Sequence, residues 1–325
     1  MNLEFTMFKS SITDNELNQD TVYDLLILGG GPGALNAALY AGRKNLNVGI
    51  ITNDIGGQLL NTSYVDNYLG VETTSGEEVA RLFSKQIDEF NIPIIKDIYV
   101  TNILKDNNLF KISTSNNHTY LSKTVILGLG SKPRKLNITG EDQYIDKGIS
   151  YCAICDGPLY KNKTVIVLGG GNSAVEAAID LSRIANKVIV VHRSKFRADS
   201  ILVDKMKSIN NIEIYLETQV LEIVGDTVFK SIIVMNSDSS INKIDASGLF
   251  IEIGNIPNTN LISELTNLNE YKEVIVDSNQ QTNIDGLFAV GDMTNTKFKQ
   301  IIIAAADGAK AALAANEYLN TLKEK

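Results

Sequence analysis

The sequence YDLLILGGGPGALNAALYAGR spans residues 23–43, and TVIVLGGGNSAVEAAIDLSR spans residues 164–183. Each begins with an apolar run typical of a buried strand, passes through glycines into an alanine-rich helical pattern, and precedes a second apolar run. When Gly29 is aligned with Gly169, the preceding leucine, the three glycines, three alanines and the final arginine are identical. The chain therefore contains one β-α-β unit twice, which predicts an α/β protein with two Rossmann-like dinucleotide-binding domains.

The glycines of both units follow the pattern G-x-G-x-x-A where strand meets helix. The first glycine permits the tight turn, the second lets the backbone approach a pyrophosphate, and the small last residue lets the helix pack on the strand. The helix N-terminus then offers unpaired N–H groups to phosphate. One such pattern is weak support, but two in the same context favour nucleotide binding over a purely structural turn. The predicted binding residues are Gly29, Gly31, Pro32 and Ala34, and in the second unit Gly169, Gly171, Asn172, Ser173 and Ala174.

The residue about 20 positions further on indicates which nucleotide binds, because an acid there holds a ribose hydroxyl group. The first unit has Thr52 or Asn53 at this place and the second has His192, so neither has the acid. Basic side chains follow His192 instead, and guanidinium groups donate paired hydrogen bonds to an additional phosphate. This pattern predicts NADP(H), and a solvated basic turn is the alternative. The candidate residues are His192, Arg193, Lys195 and Arg197.

Both cysteines of the chain lie in Cys152-Ala153-Ile154-Cys155, which Asp156 follows. A zinc site needs about four ligands, and the two histidines, His118 and His192, lie in unrelated contexts. Two structural thiols would fall at this spacing only by chance. A redox disulfide needs just these two sulfur atoms, and a C-x-x-C turn lowers the pKa of one thiol. We therefore predict a catalytic disulfide with Asp156 as the proton-transferring acid, and no metal.

Composition restricts the class of protein. The 325 residues are 44% hydrophobic and 21% charged, which excludes a disordered chain and leaves room for two cores. A net charge of -8 argues against a nucleic-acid partner. No apolar run approaches the ~20 residues of a membrane span, and no secretion signal is visible. We therefore expect a cytoplasmic protein that binds neither nucleic acid nor membrane.

Outside the two repeated units the patterns are shorter. Residues 1–20 are polar without a sustained period and are interpreted as an N-terminal arm. Helical composition covers residues 300–319. Short apolar runs predict strands at 109–113, 124–127, 212–215, 231–235, 249–253 and 287–289.

After residue 20, nearly the whole chain resembles the low-molecular-weight thioredoxin reductases, in the order as well as the content of its motifs. The matching motifs are LGGGPGA at 28–34, GGQL at 56–59, DNYLG at 66–70, YCAICDG at 151–157, GGGNSA at 169–174, GNIPNT at 254–259, AVGDM at 289–293 and KQIIIAAADGAKAA at 299–312. CDGPLYKNK and KQIIIAAADGAKAAL also resemble the flavoprotein component of alkyl hydroperoxide reductase. That relative carries an additional thioredoxin-like module, so we expect this chain to need a separate carrier protein.

The resemblance implies an FAD-binding domain in two segments, 21–133 and 250–325, with an NADPH-binding domain inserted at 134–249. It implies a rotation of the inserted domain about hinges near 131–134 and 246–249. Gly291 and Asp292 would hold the ribityl chain of the flavin. The other residues that the resemblance assigns to the FAD site are Gly56, Gly57, Gln58, Leu59, Asn67, Gly130, Lys299, Gln300 and Ile301.

The resemblance also implies the reaction. Cys155 would face the flavin, Cys152 would attack the disulfide of the partner, and Asp156 would serve as the acid. Electrons would pass from NADPH through FAD and this pair to thioredoxin or a related small disulfide carrier, and the protein would form a homodimer.

Two departures from the family keep other functions open. The basic motif H-R-R-x-x-x-R is shortened here to residues 192–197, and Asn255 replaces the histidine of G-H-x-P-N-T. The shortened basic motif leaves NADH or reduced ferredoxin open as the electron donor. The resemblance to the alkyl hydroperoxide reductase component leaves a disulfide reductase of a peroxiredoxin system open, and a flavin redox sensor without turnover is a further alternative that no feature of the sequence favours. The intact GGGNSA argues against the ferredoxin donor.

Overall fold

The computed structural model describes residues 17–62 and 65–323. The strands of this part are β1 (Val22–Leu28), β2 (Val48–Ile51), β3 (Ile94–Ile95), β4 (Val100–Asp106), β5 (Leu109–Thr114), β6 (Thr119–Leu127), β7 (Ser131–Pro133), β8 (Ile149–Ser150), β9 (Thr164–Leu168), β10 (Lys187–Val191), β11 (Ile212–Tyr215), β12 (Gln219–Gly225), β13 (Phe229–Met235), β14 (Ile241–Asp245), β15 (Gly248–Ile251), β16 (Asn255–Pro257) and β17 (Leu287–Ala289). The α-helices are α1 (Pro32–Arg43), α2 (Gly76–Asp88), α3 (Ala153–Asp156), α4 (Asn172–Ser182), α5 (Ser200–Lys207) and α6 (Ile301–Lys323). None of the helices in these ranges is long and apolar enough to cross a bilayer.

Tertiary contacts divide the chain into two units. Unit 1 contains residues 17–61, 76–131 and 257–323 of the described part. Unit 2 contains the remainder of the described part, residues 62, 65–75 and 132–256. The chain passes between the units after residues 61 and 75, and again within β7 and β16, which pair with each other.

Unit 1 is built on a seven-stranded sheet. Its parallel part runs β3-β2-β1-β6-β17, because β17 pairs with the C-terminal half of β6. Strands β5 and β4 extend the sheet antiparallel from the N-terminal half of β6. The residues Leu25–Leu28 of β1 are fully buried, as expected for a parallel strand that is covered on both faces.

Helices α1 and α6 cover one face of this sheet, where Leu25, Ile27 and Phe288 pack against their alanines. The two helices lie so close that a Cβ atom on Gly308 would stand 2.0 Å from the carbonyl oxygen of Gly33. The opposite face packs a second core around Phe110, and Leu17 is buried in it. The arm predicted at residues 1–20 lies outside the described residues up to Glu16, whereas Leu17 is docked in the core.

Unit 2 repeats the parallel sheet in the order β11-β10-β9-β15-β8. Helices α4 and α5 cover one face around Val167, Val190 and Phe250. The antiparallel ribbon β12-β13-β14 supplies Ile223, Phe229 and other apolar side chains to the core on the other face. The parallel part of the unit 1 sheet and the parallel sheet of unit 2, each with helices on one face, confirm the predicted α/β class with two Rossmann-like domains.

The second boundary between the units differs from the expected one. The prediction placed it at residues 249/250 with a hinge at 246–249, but Gly248–Ile251 is strand β15, which pairs with both β9 and β8. The chain leaves unit 2 only after residue 256. The expected boundary is therefore corrected, because a central strand of the sheet cannot belong to the connection between units.

Candidate active site

The glycine turn after β1 leaves the start of α1 open. Gly29 has φ +119°, and a Cβ atom there would stand 2.2 Å from the carbonyl oxygen of Gly128. Gly31 is the N-cap of α1, and within the described residues no side chain caps this helix. A Cβ atom on Gly31 would meet nothing within 4 Å. The helix begins at Pro32, so uncapped amides face open space, an arrangement that fits a pyrophosphate.

The loop after β2 packs against this turn. The N–H of Gly56 donates to the carbonyl oxygen of Gly30 at 2.8 Å, and the N–H of Gly57 donates to Oδ1 of Asp54 at 2.8 Å. A Cβ atom on Gly57 would lie 3.3 Å from the Cα atom of Gly31. The structure therefore brings the GGQL loop, including the buried Leu59, to the glycine turn.

Asp292 connects a second predicted segment to this loop. The amide of Gln58 donates to Oδ2 of Asp292 at 2.8 Å. Burial raises the pKa of Asp292, and the positive charge of Lys299 and the hydrogen bond from Gln58 oppose that shift. Lys299 is itself held by Glu273, with Nζ and Oε1 3.0 Å apart. A carboxyl group in this setting can accept hydrogen bonds from the hydroxyl groups of a polyol chain.

The remaining residues predicted for this site lie in different places. The amide of Gln300 donates to the carbonyl oxygen of Lys299, directly before α6 begins at Ile301. Gly130 has φ +64° with open space around it. Asn67 falls in the segment 62–75, which belongs to unit 2, so the structure does not group it with the unit 1 residues.

The glycine turn of unit 2 has the same construction. Gly169 has φ +151°, and a Cβ atom there would stand 2.3 Å from the carbonyl oxygen of Glu252. Gly171 caps α4 with open space above it. Asn172 exchanges two hydrogen bonds with Asp199, at 3.0 and 2.9 Å. The turn therefore fits a second pyrophosphate.

The basic turn, residues 192–197, lies beside this glycine turn, and His192 packs between Gly170 and Phe196. The ring of this buried side chain stacks on Phe196 with 6.2 Å between ring centroids, and it leaves no room for a Cβ atom on Gly170. Burial and the two neighbouring arginines lower the pKa of His192, which favours the neutral ring. The cations of the turn are exposed, and no side-chain ion pair joins them to the rest of the described chain. They are Arg193, Lys195 and Arg197.

The predicted disulfide between Cys152 and Cys155 is present in unit 2. Cys152 caps the short helix α3, and its Sγ accepts the N–H of Cys155 at 3.2 Å. The N–H of Cys152 donates to Oγ of Ser150 at 3.0 Å. Burial raises the pKa of Asp156, Asp146 and Asp66 raise it further, and a hydrogen bond with Ser150 opposes them. The protonated form of Asp156, which directly follows Cys155, is therefore favoured relative to that of an exposed aspartate.

Residues 152–156, which contain the disulfide and Asp156, form the redox turn. Sequence reasoning missed two residues that hydrogen-bond to this turn, Ser150 and Glu252. Oε1 of Glu252 accepts the N–H of Ala153 at 3.1 Å, and burial raises the pKa of this carboxyl group to about 7. Its signal in the sequence was available, since Glu252 is the one acid within the apolar run GLFIEI at 248–253. Ser150 gave no signal, because its role depends on the fold around it.

A model of the family described as pyridine nucleotide-disulphide oxidoreductase matches residues 23–308. The chain belongs to the pyridine nucleotide-disulphide oxidoreductases. It is therefore an oxidoreductase, and membership implies a flavin and a nicotinamide nucleotide as cofactors. The two open glycine turns and the disulfide of this oxidoreductase fit that requirement.

Solved structures refine the relationship. The oxidoreductase is similar to the thioredoxin reductase from Streptococcus pyogenes, with a TM-score of 0.86 and 36% identity over 92% of this chain and 99% of that one. It is also similar to the thioredoxin reductase from Giardia duodenalis, with a TM-score of 0.86 and 31% identity over the same shares. These matches confirm the resemblance to thioredoxin reductases that the motifs indicated.

A curated relative with a different name is also similar. The F component of alkyl hydroperoxide reductase from Staphylococcus aureus is 41% identical over 313 residues, which is 95% of this chain. The chain spans 62% of the length of that relative.

Proposed function

We propose that this oxidoreductase is a disulfide reductase that uses NADPH and FAD to reduce thioredoxin or a related small carrier. The Cys152–Cys155 disulfide carries the proposal, because it lies in the same unit as an open nucleotide turn and is directly followed by Asp156, a carboxyl group whose pKa is raised by burial. A bound flavin would supply the exchange of electrons between nicotinamide and disulfide. Unit 1 is the proposed FAD-binding domain and unit 2 the proposed NADPH-binding domain.

The proposed FAD site consists of the unit 1 residues described above, with the amides of α1 facing the pyrophosphate and Asp292 accepting from the ribityl hydroxyls. The proposed NADPH site consists of the amides of α4, with the cations of the basic turn facing the 2′-phosphate. Guanidinium groups bind phosphate through paired, charge-assisted hydrogen bonds. The exposure of Arg193 and Arg197 leaves their donors available for such a ligand.

The reduced redox turn would then reduce the disulfide of the carrier by thiol–disulfide exchange. In the reduced protein, the thiolate of Cys152 attacks one sulfur of the carrier disulfide, and the other carrier sulfur leaves as a thiolate that takes a proton from Asp156. The Cys155 thiol loses its proton and attacks the Sγ of Cys152, which restores the disulfide; the second carrier sulfur leaves as a thiolate and takes up that proton. The carrier gains two electrons and two protons in total.

The test compares the wild type with Cys152→Ser in a visible-absorption assay. Both proteins should bind FAD and lose flavin absorbance on anaerobic addition of NADPH. Only the wild type should reduce thioredoxin repeatedly. Normal thioredoxin reduction by the variant would contradict the proposal, and a wild type that cannot take up FAD would refute it outright.

A second candidate function is the disulfide-reducing step of a peroxide-reducing system. The observation that favours it is the 41% identity to the F component of alkyl hydroperoxide reductase. Parallel turnover assays with thioredoxin and with the thioredoxin-like module of such a reductase distinguish the two carriers. A turnover rate at least tenfold higher with the module would assign the chain to the peroxide system.

A further inference from the structure

Glu252 joins the redox turn to the end of a central strand. It directly follows β15, and its Oε1 accepts the N–H of Ala153 at 3.1 Å. Its backbone is fixed on the other side, since its own N–H donates to the carbonyl oxygen of Leu168 at 2.8 Å. Its carbonyl oxygen closes over Gly169. A rigid strand end therefore holds the carboxyl group against the first amide of α3.

The amides at the start of α3 serve two acceptors. Ala153 donates to Glu252, and Cys155 donates to the Sγ of Cys152 at 3.2 Å. In the disulfide this sulfur is uncharged. After reduction, a thiolate on Cys152 is stabilised by the same group of amides, whereas an ionised carboxylate beside them repels it. The carboxylate and the thiolate accept from different amides of the same short helix, so each negative charge disfavours the other.

We propose that Glu252 is a positioning residue of the redox pair, whose charge sets how much of the reduced Cys152 is present as thiolate. The proposal deepens the proposed function, and it rests on that function only in requiring that the disulfide be reduced. An added dithiol reduces the disulfide and is itself oxidised to a disulfide. The Sγ–Sγ bond breaks, and its two sulfur atoms gain two electrons and become thiolates or, after proton uptake from solvent, thiols.

Burial of Glu252 brings the change of its charge close to neutral pH. It raises the pKa of Glu252 to about 7, and the amide of Ala153 opposes that shift. Other carboxyl groups near the redox turn also carry negative charge, so the test must leave them unchanged. Asp66 and Asp146 raise the pKa of Asp156, and Asp156 raises that of Tyr160. Glu141 and Asp142 raise the pKa of Tyr151, which precedes the cysteine pair.

The test measures the alkylation rate of Cys152 by iodoacetamide between pH 5 and pH 10. The chain has two cysteines, so Cys155→Ser leaves Cys152 as the single thiol while retaining the backbone amide at 155. Glu252→Gln keeps an oxygen acceptor for Ala153 and removes the charge. We expect the double variant to react about three- to tenfold faster than Cys155→Ser between pH 7 and pH 8, because one nearby negative charge has been removed. Below pH 6, where Glu252 is neutral, the rates should agree.

The shape of the pH profile separates charge from structure. Equal rates at every pH, or a constant ratio across the range, would overturn the proposal, because a purely structural effect does not titrate. Glu222→Gln, on the exposed face of β12, removes one carboxylate from the same unit, and an equal acceleration in that variant would also overturn it. The assay needs no nucleotide, flavin or carrier, so its outcome is independent of whether NADPH or thioredoxin is the true substrate.

A measurement on the unsubstituted Glu252 covers the case in which the variant fails to fold. Reduced-minus-oxidised infrared spectra of Asp156→Asn at pH 7 should gain a protonated-carboxyl band, since a thiolate beside Glu252 raises the affinity of that carboxyl group for a proton. An unchanged carboxyl region would overturn the proposal.

Discussion

Gln58 donates a hydrogen bond to Asp292 at 2.8 Å, although 234 residues separate them in the chain. The bond joins the loop after β2 to the turn that precedes α6, and both segments were assigned to FAD by resemblance alone. It also opposes the effect of burial on the pKa of Asp292. The amide therefore favours the ionised carboxylate, the form that accepts hydrogen bonds from ligand hydroxyl groups.

Replacing Gln58 by Leu should weaken FAD binding. The substitution removes the donor to Asp292 and leaves a half-buried carboxyl group without that partner. We expect FAD affinity to fall about tenfold to a hundredfold, measured by titration of the apoprotein and by flavin content after purification. Gln86→Leu on the exposed side of α2 is the matched control, and equal losses in both variants would contradict the assignment.

Alanine at the two N-cap glycines should affect binding without affecting the fold. Gly31 and Gly171 have negative φ angles, -77° and -94°, and open space where a Cβ atom would lie. Gly31→Ala should reduce FAD affinity, and Gly171→Ala should raise the KM for NADPH while FAD content stays normal. Melting temperatures of the apoproteins should remain within about 2 °C of the wild type.

Gly30→Ala provides the contrast, because its Cβ atom would stand 1.9 Å from the carbonyl oxygen of Asp54. This variant should be strongly destabilised. If Gly31→Ala and Gly171→Ala bind both nucleotides normally, the open space above these turns is not where the pyrophosphates bind.

The basic turn should decide between the two nicotinamide nucleotides. We expect the double variant Arg193→Ala, Arg197→Ala to lower kcat/KM for NADPH about tenfold to a hundredfold and to leave kcat/KM for NADH nearly unchanged, because only NADPH carries the additional phosphate. Arg183→Ala removes an exposed arginine that pairs with Asp180 in the same unit and serves as control. Equal losses for both nucleotides would refute the role in specificity.

Glu252 should make the protein less stable as the pH rises. Its pKa in the folded state is about 7, above the ~4.3 of an unperturbed glutamate. The folded state therefore holds the proton more tightly, so the contribution to stability is fully present below the unfolded pKa and is lost as the pH rises through about 7. Relative to Glu252→Gln, the wild type should lose about 2–3 kcal/mol of unfolding free energy between pH 5 and pH 8. Urea unfolding at both pH values measures this, and a pH-independent difference would contradict it.

The sequence predicted local structure better than long-range contacts. The strands at 212–215 and 287–289 are confirmed by β11 and β17, and the helix at 300–319 is confirmed with an extension to Lys323. Periodicity and glycine patterns are local signals, so these elements were accessible. The boundary near residue 249 was misplaced because an apolar run does not reveal which sheet it joins.

In the candidate active site too, local features were predicted from the sequence and long-range contacts were not. The two glycine turns and the C-x-x-C pair were predicted, since each is encoded within a few consecutive residues. The hydrogen bond from Gln58 to Asp292 and the contact of Glu252 with Ala153 depend on how distant segments meet. Periodicity carries no information on such pairs. The grouping of residues 62–75 with unit 2 was likewise not visible from the DNYLG motif.

The close crossing of Gly33 and Gly308 has a consequence for synthesis of the chain. All of unit 2 has left the ribosome once residue 256 has emerged, but β17 and α6 are translated only afterwards. The glycine turn at residues 29–31 is translated early, but one face of the unit 1 sheet is not fully covered until α6 has formed. Unit 2 can therefore mature during translation, while unit 1 is completed only after α6 has been translated.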